Sequence, residues 1–199
     1  MELYGKTLGI VGTGRIGKHV ARLAQGFGMR TIAFDLVPDQ IFAQQSGVTY
    51  VSLDELLAQS DIVTLHLPAT PQTHHIINAG NIDSIKRGSY LINTARGDLV
   101  ETSALLDALR GGQLAGAALD VLEEEQALHE EARLFAGGMP SVDQLRTLIA
   151  AHILIDMPQV VVTPHIAFFT GEAKREMFKT SVENIAAFIA GTPQNLIAR

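Results

Sequence analysis

Short apolar runs alternate with helix-compatible stretches along nearly all of this 199-residue chain. Thr7-Leu8-Gly9-Ile10-Val11 is continuous and β-prone, which predicts a strand covered on both faces. Helix-compatible sequence runs from Arg15 to about Phe27, and Thr31-Ile32-Ala33-Phe34 predicts a second strand that ends on Asp35. Gly47 to Val51 predicts a third strand, with Ser52 as N-cap for a helix from Leu53 to Gln59. Asp61 to Leu65 and Ser89 to Asn93 are further buried strands, ending at His66-Leu67-Pro68 and Thr94-Ala95-Arg96-Gly97. Thr102 reads as the cap of a helix through Arg110, stopped by Gly111-Gly112. Ala115 to Leu119 closes on Asp120, and Val160 to Thr163 closes on Pro164-His165. Continuous apolar strands separated by helices predict an α/β fold, a doubly wound parallel sheet with helices on both faces. One stretch breaks the rhythm. Glu123 to Met157 is acidic at first, carries Gly137-Gly138 and Pro140, and turns helical from Val142 to about Ile153. It reads as an insertion or long connection.

The turn after the first strand is Gly12-Thr13-Gly14-Arg15-Ile16-Gly17. A G-x-G-x-x-G run gains meaning here because a strand precedes it, a helix follows, and an acid closes the next strand. Gly12 permits the tight turn and Gly14 lets backbone approach a pyrophosphate. Gly17 lets the helix lie close to the sheet, and the first-turn N–H groups, Arg15 and Ile16 among them, face the phosphates. Asp35 would accept hydrogen bonds from the adenosine ribose hydroxyls and repel a 2′-phosphate, so NAD is expected as cofactor in preference to NADP. The alternative is a glycine-rich turn that serves only the backbone. Ligands of such sheets bind at the carboxyl ends of the strands. The polar residues singled out here, from Gly12 through Asp35, His66, Arg96 and Asp120 to His165, all fall at those ends.

Composition narrows the class. A chain of this length forms one full domain with a sizeable core, or two small ones. Hydrophobic residues make up 47%, with no stretch long enough to cross a membrane. The N-terminus lacks the basic-then-apolar pattern of a signal peptide, and the chain has no cysteine. Both features point to the cytoplasm. A net charge of −6, spread along the chain, argues against a nucleic-acid surface. His74, His75, His129 and His152 lack metal-ligand spacing, so no metal is expected. The acidic run from Glu123 to Glu131 reads as a solvated face.

Five segments together resemble one family. They are Gly5 to Gly17; His66-Leu67-Pro68 with Thr70-Pro71-Gln72-Thr73; Ile92-Asn93-Thr94-Ala95-Arg96-Gly97; Ala118-Leu119-Asp120-Val121; and Thr163-Pro164-His165-Ile166-Ala167. In order and spacing the chain resembles the NAD-binding domain of the D-isomer-specific 2-hydroxyacid dehydrogenases, a Rossmann fold, from residue 5 to about 195. The acidic link and Phe168 to Ala173 look most like the D-lactate dehydrogenase branch. The family's chemistry needs a base for the hydroxyl proton, a cation for the carboxylate and a nicotinamide for the hydride. The resemblance places His165 in the first role, since imidazole titrates near neutral pH. Arg96 clamps the carboxylate with its planar fork of donors. Glu125 orients the histidine. It stands five residues after Asp120, beside Glu123 and Glu124, but Gln126 occupies the position where the family has a proline. The resemblance also implies cofactor contacts from His66, Leu67, Pro68, Thr73, Thr94, Ala95, Arg96, Asp120 and His165. The imidazole of His66 is read as structural, and Asp120 either faces the nicotinamide end or caps a turn.

In the family a substrate-binding domain precedes the segment that begins at Gly5. The expectation is therefore one dinucleotide-binding domain over residues 1–199, either a truncated gene product or an isolated cofactor-binding domain. Residues 171–199 would form the helix and tail that cross back to the missing domain. That helix, Gly171 to Ala190, sets Met177, Phe178, Val182, Ile185 and Ile189 on or near one apolar face. The face is exposed unless it folds back or pairs with a second copy. A homodimer is expected, and a substrate domain supplied in trans is possible. Two functions follow. One is a dehydrogenase of small 2-hydroxy and 2-keto acids such as lactate and pyruvate, signalled by the retained Arg96, Glu125 and His165. The other is a non-catalytic NAD-binding module for sensing or assembly, signalled by the missing first domain.

Overall fold

The computed structural model describes residues 2–123 and 141–196. Its centre is one all-parallel sheet of seven strands in the order β3-β2-β1-β4-β5-β6-β7. The strands are β1 (Thr7–Val11), β2 (Arg30–Phe34), β3 (Thr49–Tyr50), β4 (Ile62–Leu65), β5 (Ser89–Asn93), β6 (Leu114–Leu119) and β7 (Val160–Val162). Order reverses between β1 and β4, which opens a crevice at their carboxyl ends.

Alternation within each strand feeds two cores, one on each face. Leu8 and Ile10 of β1 pack with Ala21, Ala24, Phe42 and Ile62. Val11 joins Val63, Leu65, Leu91, Leu105 and Leu154 on the other side. Both faces being covered explains why β1 and β4 are buried at every position. Helix α1 (Arg15–Gly26) meets the sheet through the small residues Gly17, Ala21 and Ala24. Helices α3 (Leu53–Gln59), α4 (Thr102–Arg110) and α5 (Val142–Asp156) each bury leucines, and in α4 Leu105, Leu106 and Leu109 fall at helical spacing.

Most element boundaries follow the sequence pattern, and the departures have physical causes. The third strand shrinks to Thr49–Tyr50, because Gly47 closes a helix that the pattern does not announce, α2 (Gln40–Ser46), in left-handed conformation at φ 70°. That helix is polar apart from Ile41, Phe42 and Ala43, and only Phe42 is buried. Asp39 caps it by accepting from the Phe42 N–H. Ser52 forms the expected cap on α3, strengthened into a capping box by Glu55. Thr102 is the first helical residue of α4 rather than its cap. Glu101 holds the cap position, and the Thr102 N–H donates to Glu123 across 2.7 Å. Helix α5 begins at a second capping box, Ser141 with Gln144, and runs past Ile153 to Asp156.

The chain divides into two compact units, residues 1–164 and 165–199. The second contains α6 (Gly171–Ile189), capped by Thr170 through the Ala173 N–H. No residue of α6 is buried, and Met177, Phe178, Val182, Ile185 and Ile189 are all exposed. Among the described residues, no helix is long and apolar enough to cross a membrane.

Candidate cofactor and catalytic site

At the carboxyl ends of β1 and β2 the glycine turn and the following acid form one hydrogen-bonded unit. Gly12 adopts φ 98°, and a β-carbon there would lie 2.9 Å from the His66 carbonyl. Gly17 is forced by proximity, since its β-carbon would stand 2.0 Å from the Gly12 oxygen. Gly14 differs from both: nothing lies within 4 Å of the position its β-carbon would take. Helix α1 therefore starts against open space, with no side-chain cap and no acid in its first turn. Arg15 and Ile16 are exposed beside that opening.

Thr13 fills the turn and is nearly buried, at 4% exposure. Its N–H and hydroxyl both donate to Asp35 Oδ2, at 2.7 and 2.9 Å. Asp35 Oδ1 accepts from the Val37 N–H at 3.0 Å. Burial on its own would raise the Asp35 carboxyl pKa. The hydrogen bonds from Thr13 and Val37 outweigh it and hold the group below its ordinary value. The Tyr50 hydroxyl completes the cluster by donating to Thr13 Oγ1 at 2.8 Å. Lys18, one turn into α1, is paired with Asp39.

After β4, His66 donates its backbone N–H to the Val11 carbonyl, and its Nε2 lies 3.1 Å from the Thr64 hydroxyl. Burial pushes its imidazole down to about 4, so the ring is neutral at physiological pH. Leu67 is buried beneath the glycine turn. Thr73 folds the next loop back, its hydroxyl donating to the Pro68 carbonyl at 2.6 Å and accepting from the Thr70 N–H at 2.9 Å.

The ends of β5 and β6 are joined by Asn93, whose carbonyl accepts from the Asp120 N–H. The Asn93 side chain clasps the following turn, donating to the Arg96 carbonyl and accepting from the Ala95 N–H at 2.8 and 3.0 Å. Thr94 and Arg96 are exposed, and the Arg96 guanidinium donates to the Ala95 carbonyl at 2.6 Å. Asp120 is buried and accepts from the Thr163 hydroxyl at the end of β7. Glu125 lies outside the described residues. His165 opens the second unit at φ 53°, in the left-handed region that few non-glycine residues adopt, and its ring meets Phe168 edge-on at 5.9 Å.

The structure thus gathers Gly12, Gly14, Gly17, Asp35, His66 and Leu67 at one end of the first unit, and Arg96 and Asp120 at adjacent strand ends. Two features escape the sequence pattern. Tyr50 reaches Thr13 across 37 positions, and Glu123 reaches His75 across 48. Glu123 is not the solvated residue that an acidic run suggests. One carboxylate oxygen lies 2.5 Å from His75 Nε2, the other takes the Thr102 N–H, and the side chain is 13% exposed.

Comparison with known proteins agrees with this geometry. Residues 1–167 match the family described as D-isomer specific 2-hydroxyacid dehydrogenase, NAD binding domain. The chain is 42% identical over 192 residues to a D-lactate dehydrogenase of Treponema pallidum, covering 96% of this chain and 55% of that protein. It is 39% identical over 198 residues to a glycerate dehydrogenase of Methylorubrum extorquens, covering 98% and 54%. The structure of D-lactate dehydrogenase from Aquifex aeolicus complexed with NAD and lactic acid superposes with a TM-score of 0.82 at 40% identity, over 96% of this chain and 56% of that one. The chain spans about half the length of the relatives it matches. The open space at Gly14, the uncapped α1 and the ionised Asp35 fit a dinucleotide. The chain belongs to the D-isomer-specific 2-hydroxyacid dehydrogenase family, of which it is the NAD-binding domain.

Proposed function

We propose that this chain is the cofactor-binding half of an NAD-dependent D-2-hydroxyacid dehydrogenase that interconverts a small 2-hydroxy acid and its 2-keto acid, with lactate and pyruvate as the first pair to test. The observation that carries the reading is the presence of strand-end residues that nucleotide binding alone does not need. Arg96 follows β5 on a turn clasped by Asn93, and His165 follows β7 in a left-handed conformation. Backbone held in a sparsely populated region persists where the surroundings demand it, and such residues cluster at functional sites.

Bound NAD supplies the hydride acceptor. The first-turn amides of α1 at Arg15, Ile16 and Gly17, reached past Gly12 and Gly14, hold the pyrophosphate. Asp35 accepts from the adenosine ribose. His66, Leu67 and Pro68, with Thr73 fixing their loop, line the site, and the Thr94-Ala95 backbone and Asp120 face the nicotinamide end. Arg96 binds the substrate carboxylate and polarises the carbonyl. His165 takes the hydroxyl proton in oxidation and returns it in reduction. Glu125 orients the imidazole. A substrate-binding domain completes the enzyme, which pairs as a homodimer, and the cytoplasm is its compartment.

The test is NADH consumption by the purified chain with pyruvate and bulkier 2-keto acids, alone and with a separately expressed substrate domain from a relative. Turnover that disappears in His165→Ala supports the assignment. NADH binding without turnover in any combination contradicts it, and leaves a non-catalytic NAD-binding module.

A further inference from the structure

We propose that Tyr50 is a positioning residue for cofactor discrimination, acting through Thr13 to fix the Asp35 carboxylate. This inference rests on the reading that Asp35 receives the adenosine ribose.

Tyr50 stands at the end of β3, paired in register with Ala33 of β2, and its hydroxyl donates to Thr13 Oγ1 at 2.8 Å. A threonine hydroxyl has one proton. With the oxygen already accepting from Tyr50, that proton is directed to Asp35 Oδ2 at 2.9 Å, beside the Thr13 N–H at 2.7 Å on the same oxygen. Each carboxylate oxygen accepts about two hydrogen bonds. Oδ2 is therefore filled by Thr13, whereas Oδ1 holds the Val37 N–H and keeps capacity to spare. The carboxylate is locked in rotation, with one chosen oxygen available to a ribose hydroxyl.

The surroundings favour the same selection. Thr13 is nearly buried, so water is a poor substitute donor if the phenol is lost. Within α1, the Lys18 ammonium is engaged by Asp39. The ring of Tyr50 packs against the core that contains Leu8, Ile10 and Phe42, and a phenylalanine keeps that packing. Hydroxyl and ring are therefore separable by substitution.

The experiment titrates NADH and NADPH onto the purified chain and onto Tyr50→Phe, Asp35→Ala and the double variant. Tyr50→Phe is expected to weaken NADH about three- to tenfold while NADPH changes by less than about twofold. In the Asp35→Ala background the same change is expected to have no effect on the ratio of the two affinities. Thr13→Val should reproduce the loss and Thr13→Ser should restore wild-type discrimination, which guards against a folding defect in any single variant. An unchanged ratio in Tyr50→Phe, with Asp35→Ala altering it, overturns the positioning role alone. Equal losses for both cofactors in Tyr50→Phe also overturn it. An unchanged ratio in Asp35→Ala removes the ribose reading itself, and the inference with it.

Discussion

The two ends of the sheet's carboxyl edge are built on different principles. Around β1, β2 and β3, the polar side chains at the strand ends are tied to one another or to backbone: Tyr50 to Thr13, Thr13 to Asp35, Asp35 to the Val37 N–H. Around β5, β6 and β7, the turns are tied through the backbone, and the exposed Arg96 guanidinium rests on the neighbouring Ala95 carbonyl. Asn93 clasps the turn and Thr163 pins Asp120, while the Arg96 side chain is exposed and His165 begins a second unit. A rigid scaffold with preorganised donors suits a ligand that never changes, such as the ribose and pyrophosphate of one cofactor. Exposed groups on clasped turns suit a reacting centre whose other walls come from elsewhere. On the proposed function, cofactor selection is built into the β1–β3 end.

That contrast can be challenged in order of expected effect. Gly17→Ala pushes a β-carbon to 2.0 Å from the Gly12 oxygen, so it should cost on the order of 3 kcal/mol and abolish NADH binding. Gly14→Ala meets nothing within 4 Å, so its melting temperature should stay near wild type while NADH affinity falls. Thermal denaturation beside NADH titration separates the two, and equal destabilisation by both would refute the distinction. Asp35→Ala should weaken NADH by about ten- to a hundredfold and relax discrimination against NADPH, the loss expected for a hydrogen bond to a charged group.

The next effect is set by pH. His66 is depressed by burial to about 4, below the ordinary histidine value of 6.5. The unfolded chain therefore binds the proton more readily as pH falls. Its contribution is complete above about pH 6.5 and is lost progressively toward pH 4, reaching about 2 kcal/mol by pH 5. Urea denaturation at pH 7.5 and 5 should show a smaller acid loss in His66→Asn than in wild type. The smallest effect belongs to the other end of the edge. Thr163→Val removes the hydroxyl that Asp120 accepts and should cost about 1 kcal/mol of stability. The ratio of NADH to NADPH affinity should not move.

Much of the cofactor end was readable from residues alone, because strand, glycine turn, helix and terminal acid are local patterns with fixed spacing. Gly12, Gly17 and Asp35 stand where that pattern puts them. Its wiring was not readable, because Tyr50 and Thr13 become neighbours only when β3 takes the edge beside β2. Similar reasons hid the fate of Glu123. It sits in an acidic run, and only the fold brings His75 and the Thr102 N–H to its two oxygens. The cap of α4 lies one residue from where the pattern puts it, because Thr102 has the better capping side chain, yet Glu101 takes the position and its carboxylate receives the Ala79 N–H. Helix α2 escapes the pattern because a short polar helix with one buried apolar residue carries little periodicity.

The decisive experiment is the direct titration of the purified wild-type chain with NADH, followed by cofactor fluorescence and repeated with NADPH. The chain has no tryptophan to interfere. Saturable NADH binding, with NADPH weaker by about tenfold or more, is the predicted result. No saturable binding, or equal affinity for the two cofactors, would contradict the account of Asp35 and the glycine turn given above.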